Sequence, residues 1–144
     1  MTNEIGSCPT FTVFLSVIIH GSNMNDDLHA QTYGEVLRDL VKEIHSEVDV
    51  ICPVEQNSNS GEYSEELARE VFIQEMELAA FADVTVAYAP VATMGTAVEM
   101  YRAYSADRLV FTILSIARNW AVRFLSRRVF GNVAAFETFV RSGG

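Results

Sequence analysis

The sequence predicts a single α/β domain, with a doubly wound parallel sheet of about five strands and helices on both faces. Three observations point there. Short apolar runs rich in β-branched residues alternate with longer segments of helical period, the order that gives a parallel sheet. The first run, residues 11–19, is apolar almost throughout, as a strand covered on both faces must be. The chain has 144 residues and is 49% hydrophobic, enough for one substantial core.

The elements follow in order. Residues 11–19 form the first strand, and Gly21-Ser22-Asn23 breaks it. Tyr33, Val36, Leu37, Leu40, Val41 and Ile44 recur at helical spacing and set a first helix over about 28–46. Residues 48–51 make a short second strand, and the polar loop 53–64 is a candidate binding loop. A second helix is expected over 64–80 and a third strand over 84–88, where Val84, Val86 and Tyr88 alternate with Thr85 and Ala87. A third helix opens near Thr96, and a fourth strand covers 109–114. The run 118–129 reads as one helix with Arg127 and Arg128 in its last turn and Gly131 as its C-cap. A fifth strand has no clear place. A final helix over 134–140 buries Phe136, Phe139 and Val140.

The whole of 1–144 is expected to be one domain behind a polar tail, 1–10. A net charge of −9 argues against a nucleic-acid polymer as partner, because phosphate backbones need a basic surface. A single nucleotide needs only local donors and stays open. Cys8 and Cys52 have no metal-site spacing, so no metal is expected, and two free thiols suit a reducing cytoplasm. The start of the chain lacks signal-peptide character, and no apolar run reaches the length of a membrane span.

The segment 82–99 carries the most information. After the third strand, Pro90 removes an amide donor, Gly95 allows close backbone approach, and Thr96-Ala97-Val98-Glu99 opens a helix. A carboxylate in a first helical turn sits at the positive end of the macrodipole, so Glu99 is expected to be ionised. Ligands of doubly wound sheets bind beyond the carboxyl ends of the strands, which is where this turn falls.

This segment resembles the nucleoside 2-deoxyribosyltransferase superfamily, which includes the 2'-deoxynucleoside 5'-monophosphate N-glycosidases. The shared pattern is a strand-opening Asp (Asp83), a hydrophobic strand, a small-residue turn (Thr93 to Gly95) and a Gly-x-x-x-Glu helix start (Gly95 to Glu99). The resemblance runs through most of the chain in element order and is specific over about 75–105 and around Asn119. It implies a flavodoxin-like or Rossmann-like sheet, no metal or organic cofactor, and sites built at a homodimer interface.

The candidate residues have two readings each. From local sequence, Thr96-x-x-Glu99 is a capping box; the resemblance makes Glu99 the nucleophile that attacks the anomeric carbon. Glu75 falls on the apolar stripe of Leu67, Val71, Leu78 and Ala79, which is costly for a charge unless the helix is rotated to place it at the rim. In the family an acidic residue eight positions before the strand-opening Asp assists the nucleophile, and Glu75 holds that place, although the family usually has Asp. Asp83 lies at the wrong sheet edge for catalysis and reads as structural. Thr93 reads locally as a turn or cap residue; by resemblance it stands where the nucleotide N-glycosidases have a phosphate-binding Ser and the transferases an Asp. Gly21 and Ser22 permit close approach and donation to a phosphate, although the downstream P-loop residues are absent, and His20 is a candidate base contact. Asn119 suits a helix N-cap, and by resemblance reaches a neighbouring subunit's sugar site. Tyr101, Tyr104, Trp120 and Phe124 supply apolar surface for self-association, with ordinary core as the competing reading, favoured for Phe124.

The reading that follows is hydrolysis of the N-glycosidic bond of a nucleoside 5'-monophosphate, by a cytoplasmic homodimer with Glu99 as nucleophile and Glu75 as its partner. Base exchange by a 2-deoxyribosyltransferase and a non-catalytic nucleotide-binding module are the alternatives. A phosphoribohydrolase shares the Gly-Thr-x-x-Glu helix start, but its Pro-Gly-Gly turn is replaced here by Thr93-Met94-Gly95.

Overall fold

The computed structural model describes residues 11–17, 24–44, 46–53, 62–88, 94–114 and 119–143, with backbone alone over 24–33. His20, Gly21, Ser22 and Thr93 lie outside the described residues, as does most of the loop 53–64.

Strand β1 (Thr12–Ser16) leads to helix α1 (Met24–Ile44) and strand β2 (Asp49–Ile51). Helix α2 (Glu65–Phe81) and strand β3 (Val84–Tyr88) precede helix α3 (Met94–Ser105) and strand β4 (Leu109–Ile113). A short helix α4 (Trp120–Leu125), strand β5 (Arg128–Phe130) and helix α5 (Val133–Arg141) complete the chain. The five strands form one sheet in the order β2-β1-β3-β4-β5, and every pairing is parallel. This is the flavodoxin-like order, in which the topology reverses between β1 and β3. Among the described residues no helix is long and apolar enough to cross a membrane.

Strand parity divides the core. Val13, Leu15 and Val17 of the β1 segment, Val84 and Val86 of β3 and Ile113 of β4 pack with Leu37, Leu40 and Val41 of α1 and Phe136 of α5. The opposite parity faces α2, α3 and α4: Phe14 meets Ala79 and Ala82, while Ala87, Val110 and Leu114 meet Met100, Ala103 and Val122. That second face also carries Thr12, Ser16, Thr85 and Thr112, all buried.

Local chemistry fixes the boundaries. Ser64 caps α2, its hydroxyl accepting from the Leu67 amide at 3.2 Å, and Asn132 caps α5 by accepting from the Ala135 amide at 2.8 Å. Asp83 is structural, as expected from its edge. Its carboxylate accepts from the Thr12 amide at 2.9 Å, its carbonyl accepts from the Leu109 amide, and Arg108 lies 3.9 Å away. It therefore joins the amino ends of β1 and β4 to β3.

Three expectations need correction. The run 118–129 is not one helix: α4 stops at Leu125, and Arg128 to Phe130 pair with Phe111 to Ile113 as the missing fifth strand. Ser126 ends the helix and its hydroxyl meets that of Thr112 at 2.6 Å, so a partner on the sheet overrides the helical period. Arg127 and Arg128 are consequently not helix-terminal cations, and Gly131 is not a C-cap. Phe124 is not core, being 63% exposed. Finally, α3 already begins at Met94, so Thr96 lies inside the helix and cannot be its N-cap.

Candidate active site

Glu75 and Glu99 are buried, 7% and 8% exposed, although glutamate is among the residues least often found inside. Glu75 shares the buried stripe of α2 with Ala79, one turn on, so the helix is not rotated to place the acid at the rim. The N-terminal part of the expected stripe is less covered, with Leu67 on the surface. Glu99 shares the buried stripe of α3 with Thr96, Met100 and Ala103. The two helices lie side by side. Arg102 of α3 pairs with Glu77 of α2 at 3.2 Å, and the Arg108 Nε donates to the Ala80 carbonyl at 3.1 Å.

The electrostatics overturn one expectation. Glu99 stands in the second turn of α3, not the first, because the helix starts at Met94. The macrodipole effect fades beyond the first turn, and burial dominates instead. Burial pushes the Glu99 carboxyl up to about 8; the Ser16 hydroxyl pulls it partly down, and the Glu75 charge adds to the rise. Burial alone lifts Glu75 to about 7. At neutral pH Glu99 therefore holds its proton while Glu75 lies near its midpoint, and Glu99 is not the permanently ionised group expected. None of the influences on Glu99 from the described residues is a cation.

The sheet face beneath these acids is lined with hydroxyls. Ser16, the last residue of β1, faces Glu99 and pairs in register with Ala87 of β3. Its Oγ, the Thr85 Oγ1 and the Glu99 Oε2 are all buried without a hydrogen-bond partner among the described residues. Ser16 lowers the Glu99 proton affinity as a side-chain donor, although its geometry here stops short of a closed hydrogen bond. Ser16 was missed in the sequence because a lone serine in an apolar run looks incidental. The available signal was parity: Thr12, Ser16, Thr85 and Thr112 all fall on one face of three adjacent strands.

The remaining candidates divide. Gly95 is half-buried as the second residue of α3, and a Cβ there would meet nothing within 4 Å among the described residues, so packing does not demand a glycine. Asn119 caps α4, its Oδ1 accepting from the Val122 amide at 3.2 Å. Glu75, Glu99 and Ser16 are brought together at the carboxyl side of the sheet. Among the described residues no group of three His, Cys, Asp or Glu side chains could hold a metal ion.

Solved structures give this fold a setting. The chain matches a 2-deoxyribosyltransferase from Bacillus psychrosaccharolyticus with a TM-score of 0.66 and 22% identity, over 88% of this chain and 90% of that one. The chain has the fold of a 2-deoxyribosyltransferase. A conserved protein from Enterococcus faecalis V583 matches with a TM-score of 0.66 and 14% identity, over 94% and 99% of the two chains. The CMP N-glycosidase BcmB of Clostridium botulinum matches with a TM-score of 0.56 and 15% identity, over 92% and 99%. No family model matches the sequence, and no curated protein matches it.

The outer surface of the α3–α4 layer is apolar. Tyr101, Tyr104, Trp120 and Phe124 are 60%, 52%, 73% and 63% exposed, and the Trp120 and Phe124 rings lie 6.2 Å apart. Met94 and Val98 extend the α3 part of this surface at helical spacing.

Proposed function

We propose that the protein hydrolyses the N-glycosidic bond of a nucleoside 5'-monophosphate, releasing base and sugar phosphate. The observation that carries this reading is the burial of Glu75 and Glu99 side by side beyond the switch point of the sheet. Two buried acids, one of them raised further by the charge of the other, are costly for a small domain, and perturbed carboxyls in such a place mark functional sites. The likeness to a 2-deoxyribosyltransferase and to a CMP N-glycosidase fits the same chemistry.

In this reading the acids divide the work. Positive charge developing at the anomeric carbon favours the ionised form of Glu99; its proton passes to Glu75, and the carboxylate attacks that carbon as the C–N bond breaks. The base departs with a proton, and Glu75 is the nearby acid that supplies it or orients Glu99. Water then cleaves the glycosyl ester, with Glu75 accepting its proton. Ser22 and Thr93 serve as phosphate donors, His20 contacts the base, and Gly21 and Gly95 let the ligand approach the backbone. Asn119 donates to the sugar across a homodimer interface formed by the apolar α3–α4 surface.

The test is incubation with a panel of ribo- and deoxyribonucleoside 5'-monophosphates, with and without added free base, read by chromatography. Free base plus sugar phosphate supports the hydrolase. A new nucleoside formed only with added base replaces it with a transferase. Absence of any product, with nucleotide-induced thermal stabilisation, replaces it with a binding module.

A further inference from the structure

We propose that Ser16 is the positioning residue for the carboxyl of Glu99, its hydroxyl donating to the ionised carboxylate and accepting from the neutral acid. The inference deepens the glycosidase reading by naming what holds its nucleophile. It rests on two orphaned atoms. The Ser16 Oγ and the Glu99 Oε2 are both buried without a hydrogen-bond partner among the described residues, and Ser16 itself is only 1% exposed. A buried hydroxyl and a buried carboxyl oxygen left unmatched are each costly, and here the Ser16 side chain lies within reach of the Glu99 carboxyl. Ser16 already opposes the rise in Glu99 proton affinity.

The chemistry of the two groups makes the pairing reversible. A serine hydroxyl has one donor and two lone pairs, and its hydrogen rotates about a soft torsion. Glu99 must give up its proton to attack and stay in place while doing so. Ser16 matches both forms by reversing which oxygen donates, with the sheet backbone fixed by the Ser16–Ala87 register. Among the described residues, two groups act on Glu99. From α2 comes Glu75, which opposes ionisation; from β1 comes Ser16, which favours it; no cation among the described residues shifts it. Ser16 is thus the described group that favours the attacking form.

The experiment follows the Glu99 side-chain carboxyl by carbon-13 NMR across pH 5–10 in the full-length protein, with Glu99→Gln used to assign the signal. Wild type, Ser16→Ala and Ser16→Cys are compared. In Ser16→Ala the midpoint should rise by about one pH unit, a tenfold gain in proton affinity, with Ser16→Cys in between because a thiol is a weak donor. The alanine variant should fold, since alanine fills nearly the same volume as serine and leaves the strand backbone unchanged. An unchanged Glu99 midpoint in both variants would overturn the proposal and leave Ser16 a tolerated buried polar residue. This readout needs no turnover, so it stands apart from the glycosidase reading. If the hydrolase is active, the same displacement should appear in the pH at which kcat/KM rises, whereas a fixed kinetic midpoint beside a moved NMR midpoint would uphold the Ser16 pairing and overturn Glu99 as the nucleophile.

Discussion

The two faces of the sheet are built from the same strands and differ in what they bury. Toward α1 and α5, the buried strand positions are Val13, Leu15, Val84, Val86, Ile113 and Phe130, and the helices answer with Leu37, Leu40, Val41 and Phe136. Phe111, Phe130, Phe136 and Phe139 pack in tilted and edge-on pairs at ring distances of 5.1–6.3 Å, and the Arg128 guanidinium lies 4.9 Å from the Phe139 ring. Toward α2, α3 and α4 the same strands present Thr12, Ser16, Thr85 and Thr112, and the helices answer with Glu75 and Glu99. The first face is saturated with apolar contact. The second gives up stability to keep polar groups in a dry place, where electrostatic interactions are strongest and a carboxyl can be held ready for chemistry.

Substitutions on the two faces should therefore separate stability from function. Glu99→Gln is expected to have the largest effect on turnover, a loss on the order of a thousandfold or more, with the fold and nucleotide binding retained. Steady-state kinetics beside a nucleotide-binding isotherm check this. Phe136→Ala, on the apolar face, is expected to do the reverse: it costs about 3–5 kcal/mol of stability and leaves kcat per folded molecule unchanged. Denaturant titration with activity normalised to folded protein distinguishes the two patterns. If both variants lost activity and stability together, the division of labour between the faces would be wrong.

The pH dependence of stability sharpens the contrast. The Glu99 carboxyl lies at about 8 in the fold against an ordinary value of 4.5. A raised acid binds its proton more tightly when folded, so its stabilising contribution is fully present below 4.5 and is lost as pH rises through about 8. The wild type should lose on the order of 3 kcal/mol across that window, and Glu99→Gln, which stays neutral, should lose clearly less. Thermal melts of both proteins at pH 5 and pH 8.5 read the difference. Glu75→Gln is expected to lower turnover by roughly ten- to a hundredfold. It should also ease the ionisation of Glu99, because it removes the neighbouring negative charge. The smallest effect is on assembly: Trp120→Glu should weaken self-association measured by sedimentation while changing the melting temperature little, because Trp120 is 73% exposed.

Period and chemistry made much of this legible from residues alone. The alternation of Val84, Val86 and Tyr88 placed β3 within its observed bounds, and the acidic position on the α2 stripe left Glu75 either buried or at the rim, of which the fold takes the first. Where local pattern and tertiary pairing disagreed, the sequence misled. Residues 118–129 keep a helical period, yet Arg128 to Phe130 are drawn into the sheet by β4, a competition invisible to a window of sequence. The ionisation of Glu99 was misjudged for a related reason. A two-residue difference in where α3 starts moves the carboxyl out of the first turn, and the cover of α2 and the sheet then sets its proton affinity. Ser16 was hidden because its meaning depends on parity across three strands, not on its neighbours in the chain.

The most direct test of the account is mass spectrometry of the protein quenched with acid during turnover of a nucleoside 5'-monophosphate. The account requires a glycosyl phosphate adduct on the peptide containing Glu99, absent from Glu99→Gln. An adduct on another residue, or steady release of base by Glu99→Gln at the wild-type rate, would contradict it.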